Sequence, residues 1–583
     1  MDAGTPKRGH VSLDVMLLYG APSLAGAAML VPIYIHLPKF YSDVVGVPLG
    51  FLAIAIAGAR ALDALSDPLV GWLSDRTRGR FGRRRPYIAV GAPLCALAFF
   101  ALFSPPARLA GIGAAGWFTS AFILYFLFHT LYALPHYALG PELTQDYHER
   151  SRLFGFREAF SILGTIAASI APGVLISAGL SERRAFAAMG AVFAILLAAL
   201  SWLLVARVRE RAEYSARAPN PFVPGVRRAL RNRPFRILLA SYVVSSTAGA
   251  IPGTLMPFFN AYVIRPENVA GWLAIFLGVY FGAGFLFMPA WLWLARRVGK
   301  RAAWLASFGF GISGGVGMFF LGRGDTLPLL FLIAWSGSAF GAGLFLGPSI
   351  QADVIDYDEL HTGRRREAQY TAFWAMLPKF VAIPSAAIPI AILASLGYVP
   401  NAEQPPQVVL AIRTIFALVP AFFSTLAFLV ARRFPIDERV HNAVLRGIEQ
   451  HAGGEDAVDP LTGALVPPPR SGAVDEETGW FLDHFSPPEL ETFLARGARP
   501  FLRRVGLAAL VSLAVCFGAA LLGADRVTDV REDPGAVAVL AIVASGFALA
   551  LFGFHLVRLR AARRLAADPL PTDVLKSWLR GRS

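Results

Sequence analysis

Apolar residues run through this chain in blocks of about twenty, parted by short polar or charged turns. A helix needs about 20 mainly apolar residues to cross a bilayer. On that measure the pattern predicts twelve spans in the first three-quarters of the chain, at roughly 14–37, 46–74, 86–104, 114–138, 153–178, 184–206, 236–262, 271–295, 301–322, 327–351, 370–396 and 408–431. Two more are predicted at about 502–523 and 536–558, joined by the polar turn ADRVTDVREDPG. Proline interrupts several spans, for example at Pro22, Pro135, Pro252 and Pro348. Such breaks persist where neighbouring helices or a water-filled cavity satisfy the freed backbone groups.

The polar stretches divide the chain. A terminus at 1–13 precedes a bundle over 14–206, and a basic loop over 207–235 leads to a second bundle over 236–433. A polar linker over 434–501, the hairpin over 502–558 and a basic tail over 559–583 follow. Within the linker, SPPELETFLARG predicts a short amphipathic helix, with Ser486 as N-cap and Gly497 as stop. The expected fold is an all-α membrane protein. Two six-helix bundles meet at a central site, which is the architecture of major facilitator transporters, and the added hairpin brings the total to 14 spans.

Composition agrees with that class. Hydrophobic residues make up 55% and charged residues 16%, against about 25% charged in soluble domains. The net charge of +15 does not imply nucleic-acid binding, because its distribution follows the loops. With the N-terminus inside, the inside loops of the two bundles hold 25 Lys and Arg and the outside loops six. That asymmetry places both termini in the cytoplasm. A bacterial inner (plasma) membrane and a monomer are expected. The two cysteines, Cys95 and Cys516, lie in apolar runs, so no disulfide framework is expected. The first apolar run has no cleavage site of small residues and reads as a spanning helix, not a removed leader.

Charges inside the spans carry the chemistry. Span 2 holds Arg60, Asp63 and Asp67. The two acids lie one turn apart on one helix face. Each costs roughly 2.5–3.5 kcal/mol in hydrocarbon on insertion scales, so such residues mark an interior path. Span 5 adds Arg157 and span 11 adds Lys379. Acids and a lysine in opposite halves suit a coupled carrier: the acids hold Na⁺ or H⁺, and the lysine responds to their occupancy. Carboxylates and hydroxyls supply the hard oxygens that suit sodium. At the cytoplasmic rim, Asp75 and Arg76 leave span 2, while Asp353, Asp356 and Arg364 follow span 10. These are expected to form a salt-bridge gate when the carrier opens outward. No nucleotide loop, metal-ligand spacing or nucleophile motif is present, so the reading is a transporter driven by an ion gradient, not an enzyme.

Two long motifs add a resemblance. Residues 63–86 read D-x-x-x-D-P-x-x-G-x-x-x-D-R-T-x-x-R-x-G-R-x-R-P, and residues 352–367 read A-D-V-I-D-Y-x-E-x-x-T-G-x-R-x-E. Together with YSDVVG at 41–46 and FPIDERV at 434–440, they resemble the glycoside–pentoside–hexuronide:cation symporters, over roughly residues 10–450. The resemblance implies a cation site of Asp63, Asp67 and Thr130, with Arg60, Arg157 and Lys379 as the charge network. It also implies two acids that grip sugar hydroxyls in the sugar-carrying members, but those positions are Ala27 and Ala133 here, and the stacking tryptophan is Tyr137. The polar candidates for solute contact are Tyr19, Ser23, Tyr132, His136, Tyr137 and Asn260, with His129 beside them.

The expected function is Na⁺- or H⁺-coupled symport of a small solute, a glycoside or other sugar-like compound, by alternating access. No cofactor beyond the coupling ion is expected; the partners are the solute, the cation and the bilayer. An amphiphile carrier of the lysolipid type is the first alternative, since apolar replacements lose the discrimination that hydroxyl-binding groups give. A non-transporting sensor or scaffold is the second, suggested by the 434–583 extension.

Overall fold

A computed structural model describes residues 11–77, 81–144, 147–210, 222–363, 367–468, 476–527 and 536–580. Some side chains within its helices, among them those of Asp75, Arg76 and Lys379, lie outside the described residues, as does Arg364. The first bundle consists of α1 (Leu13–Val45), α2 (Leu49–Arg76), α3 (Arg85–Phe103), α4 (Gly111–Leu143), α5 (Tyr147–Ser177) and α6 (Glu182–Arg207). The second consists of α7 (Arg233–Ile264), α8 (Val269–Val298), α9 (Lys300–Phe319), α10 (Thr326–Thr362), α11 (Glu367–Ser395) and α12 (Pro406–Ala431). The hairpin is α13 (Ala498–Val527) and α14 (Ala536–Ala567). Among the described residues twelve helices are long and apolar enough to cross a membrane; α2 and α11 complete the fourteen.

In the first bundle α1 packs on α5 and α6, α3 on α4 and α6, and α2 on α4. In the second, α7 packs on α11 and α12, α8 on α10, and α9 on α10 and α12. The bundles meet chiefly along α2 with α11 and α5 with α8, and the C-terminal part of α1 also touches α7. Helices in lipid gain little from hydrophobicity and associate through small residues that let backbones approach. The α5–α8 seam is built this way: a Cβ on Gly173 would collide with Ala274 and the Ala270 carbonyl. We call the end of the bundle carrying the 207–232 connection the loop face, and the opposite end the far face.

α1 runs past its expected end. Pro32 has no N–H to donate, and the ladder widens into π turns over Pro32–His36 and Phe40–Val45. The helix stops at Gly46, whose φ of 84° is left-handed. At the loop face α4 and α10 also outrun their apolar stretches, reaching Leu143 and Thr362.

The polar linker is more folded than its composition predicts. A helix at Glu438–Ala452 begins at Asp437, whose carboxylate accepts from the Val440 N–H at 2.9 Å. A two-stranded ribbon pairs β1 (Ala457–Val458) with β2 (Leu465–Val466). The expected helix is present at Pro487–Arg496, with a capping box between Ser486 and Glu489. It shares a small core with helix Glu476–Leu482, the loop-face ends of α13 and α14, and helix Thr572–Arg580, built on Leu482, Phe485, Leu490 and Phe501.

Candidate functional site

α2 and α4 pack against each other midway along the first bundle, and there the predicted acids meet. Asp63 and Asp67 project one turn apart from α2. Thr130, from α4, places its Oγ1 2.8 Å from Asp63 Oδ1 and 2.9 Å from Asp67 Oδ1. A hydroxyl carries one proton, so it donates to one carboxylate at a time. The second oxygen–oxygen approach is therefore a shared cradle, not a second independent bond. Arg60, one turn earlier, lies 3.6 Å from Asp63 Oδ2. Its guanidinium is held between the rings of Tyr34 at 4.3 Å and Phe126 at 4.0 Å, a cation–π sandwich that fixes its position.

Arg60 is 4% exposed, Asp63 3% and Thr130 0%, while Asp67 is partly buried. Among the described residues, three side-chain oxygens converge here from two helices, and Arg60 approaches one of the two carboxylates. An all-oxygen donor set of this kind suits a hard monovalent cation or a proton shared between the acids. Lys379 lies on α11, which packs directly on α2; its side chain is outside the described residues.

A second polar group lies between α1, α4 and α5. His136 Nε2 is 2.9 Å from the Tyr19 carbonyl, and the Tyr132 hydroxyl donates to the Pro22 carbonyl at 3.2 Å. The Tyr132 and His136 rings stack, with centroids 5.6 Å apart. Tyr19, Tyr132 and His136 are buried, while Tyr137 is exposed. Arg157 lies over Tyr137 at 5.3 Å and Phe154 at 5.1 Å and pairs with Glu158 at 3.5 Å. Arg157 thus belongs with the aromatic group and not with the Asp63 cradle. Ser23 is buried on α1, its hydroxyl without a partner among the described residues. Asn260 sits elsewhere: on the π turn closing α7 at the far face, it donates to the Val269 carbonyl at 2.8 Å and ties α7 to α8.

The rim residues pair within the second half. Lys300 donates to Asp353 at 2.6 Å, and His441 Nε2 is 3.0 Å from Asp356 Oδ2. The Asp356 carboxylate raises the pKa of His441 above its usual value, outweighing the lowering by burial. Asp75, Arg76 and Arg364, the rest of the expected gate, fall outside the described side chains.

Sequence reasoning passed over one buried polar cluster. At the far face Asp43, on α1, accepts from Tyr262 of α7 at 2.7 Å and from Tyr398 at 2.6 Å. Lys39 lies 2.8 Å away, and Asn401 donates to the Asp43 carbonyl at 2.7 Å. The carboxylate is 1% exposed. Asp43 was visible only as part of YSDVVG; its tyrosine partners come from more than 200 residues away.

Residues 18–438 match the sequence model of the family described as "MFS/sugar transport protein". A putative sulfoquinovose importer of Salmonella typhimurium is 26% identical over 434 residues, covering 72% of this chain and 89% of that protein. The sodium-dependent lysophosphatidylcholine symporter 1 of Mus musculus is 26% identical over 501 residues, covering 78% of this chain and 92% of that protein. Among solved structures, the nucleoside transporter NupG superposes with a TM-score of 0.55 at 12% identity, over 72% of this chain and 99% of that one. At that identity the likeness speaks to the fold alone.

Proposed function

Because the chain belongs to the MFS/sugar transport protein family, whose model spans most of it, we propose that it couples inward movement of a cation to symport of a sugar-like solute by alternating access. The observation that carries the cation half is the cradle of Asp63, Thr130 and Asp67. The loop face is the cytoplasmic face, as its excess of Lys and Arg supports, and the membrane is a bacterial inner membrane.

The coupling follows from charge. Two carboxylates this close repel when both are ionised. Arg60 answers one of them. The second is answered either by the incoming cation or by Lys379, on the helix of the other bundle that packs on α2. Na⁺ or H⁺ in the cradle therefore releases the lysine, and the two bundles become free to rock about the site. Solute binds beside Arg157 and Tyr137, where a guanidinium and an exposed ring can take an anionic or hydroxylated group. A sugar-like solute is supported by the family description and by the importer relative. A lysolipid is the second reading, supported by Ala27 and Ala133 and by the lysophosphatidylcholine relative.

The test uses purified protein in liposomes with imposed Na⁺ or pH gradients, and sulfoquinovose and lysophosphatidylcholine as probe solutes. Cation-stimulated uptake is expected to fall roughly a hundredfold in Asp63→Asn, the order set by losing one member of a buried charge cluster. Uptake in that variant with unchanged cation dependence would remove the cradle from the mechanism. Stimulated uptake of the lysolipid and not of the sugar would replace the first reading by the second.

A further inference from the structure

The residues after 438 lie outside the family match, yet they are joined to both bundles. In the spanning region α14 packs on α2 and α11. Its approach to α2 is close: a Cβ on Gly546 would stand 3.0 Å from the Ala61 Cβ, on the helix that carries the cation cradle. At the loop face, the folded module around Phe485 and Leu490 grips the helix Phe222–Arg231 of the inter-bundle connection. Arg228 pairs with Asp483, whose side chain is 0% exposed. Arg231 reaches the same carboxylate at 3.3 Å, and Arg227 lies 3.6 Å from Glu489. The Arg228 guanidinium stacks on Trp480 at 3.9 Å. Arg558, from the loop-face end of α14, binds both oxygens of Glu489 at 2.6 and 2.7 Å.

The gripped helix is itself fastened to the second bundle. Next to it, Asn232 donates to the Val354 carbonyl of α10 at 3.1 Å and to the Tyr370 hydroxyl of α11 at 3.2 Å. Its side-chain oxygen Oδ1 also caps α7, accepting from the Phe235 N–H at 3.2 Å. The C-terminal segment therefore holds the first bundle through α14 on α2, and the second through α14 on α11 and the charged grip on Phe222–Arg231.

We propose that the segment after residue 438 is a strap across the moving parts, which favours the far-face-closed state through the ionic grip of Asp483 and Glu489 on Arg227, Arg228 and Arg231. The proposal rests on the alternating-access reading. Rocking tilts α2 relative to the second bundle, and a stiff hairpin attached at both places must release one of them. Buried, geometrically paired ions are costly to separate, because each partner is left without its counter-charge. With the far face held closed by the bonds from Asp43 to Tyr262 and Tyr398 across the bundles, the grip is intact, so opening that face requires breaking it or peeling α14 from α2 or α11.

The test measures distances between spin labels on Ile112→Cys, at the far end of α4, and Leu327→Cys, at the far end of α10. The full chain is used in lipid nanodiscs, with Cys95 and Cys516 replaced by Ala, in parallel series with and without Na⁺. Arg228→Glu and Asp483→Arg are each expected to enlarge the long-distance, far-face-open population about tenfold, a shift of about 1.4 kcal/mol. Combining the two reversals is expected to restore the parent distribution. Arg231→Gln, at a more exposed arm of the pair, gives a smaller shift in the same direction and serves if the reversals do not fold. A long-distance population that exists but ignores every one of these substitutions overturns the strap. So does an equal shift in the singles and the combined exchange. A single distance under all conditions, with or without Na⁺, overturns alternating access and the strap together.

Discussion

The two faces of the molecule treat their buried carboxylates differently. At the far face one acid, Asp43 of the first bundle, gathers Tyr262, Tyr398 and Asn401 from the second. At the loop face Asp353 and Asp356 take Lys300 and His441, all from the second half of the chain. The first arrangement joins the bundles; the second stiffens one of them. Among the described residues, cross-bundle bonds to an acid of the first bundle lie at the far face, and they hold that face closed.

The sharpest break of this contrast is Asp43→Asn. A hydrogen bond to a charged group is worth about 1.5–3 kcal/mol, and the carboxylate takes two from tyrosines. The far-face-open population is expected to rise a hundredfold or more, read by the same spin-label distances; no change would mean the closure lies elsewhere. Next comes Tyr398→Phe, which keeps the ring against Phe258 and removes one of the two tyrosine donors. About a tenfold rise is expected, and a rise matching that of Asp43→Asn would show that the tyrosine carries the whole closure.

The smallest effect tests the loop face. The pKa of His441 is raised by Asp356, so their pairing contributes fully below the ordinary histidine value of about 6.5. The contribution is lost as pH rises through the elevated value. The melting difference between the parent and His441→Gln is expected to be about 1 kcal/mol or less, given the screening of a partly exposed group, and to vanish at alkaline pH. The far-face distances should not follow that titration. If they do, the two faces are coupled through His441 and are not independent.

Much of the architecture was legible because membrane thickness imposes a length on apolar runs. The two acids of α2 were legible for a related reason: charge in such a run has a cost that requires a purpose. Thr130 needed the family resemblance, since a threonine in a helix has no such cost. Asp43 escaped because it lies at a span end, where an acid is unremarkable, and its tyrosine partners are distant in sequence. The helix at Glu438–Ala452 had its signals in place, with Asp437 before it and Val440, Val444 and Ile448 at four-residue spacing. The polarity of the surrounding segment hid them. The π turns of α1 had no signal beyond proline, because they arise from how the helix packs.

The close seat of Gly546 on Ala61 also has a consequence for biosynthesis. Chains are made at about 5–20 residues per second, so α2 waits roughly half a minute or longer in the membrane before its last neighbour is made. During that interval the back of the helix carrying the acids faces lipid, and the nascent protein must stay ordered without its hairpin. Replacing Gly546 by a bulky residue would therefore act as a fault of late assembly, in a molecule whose first twelve helices are already in place.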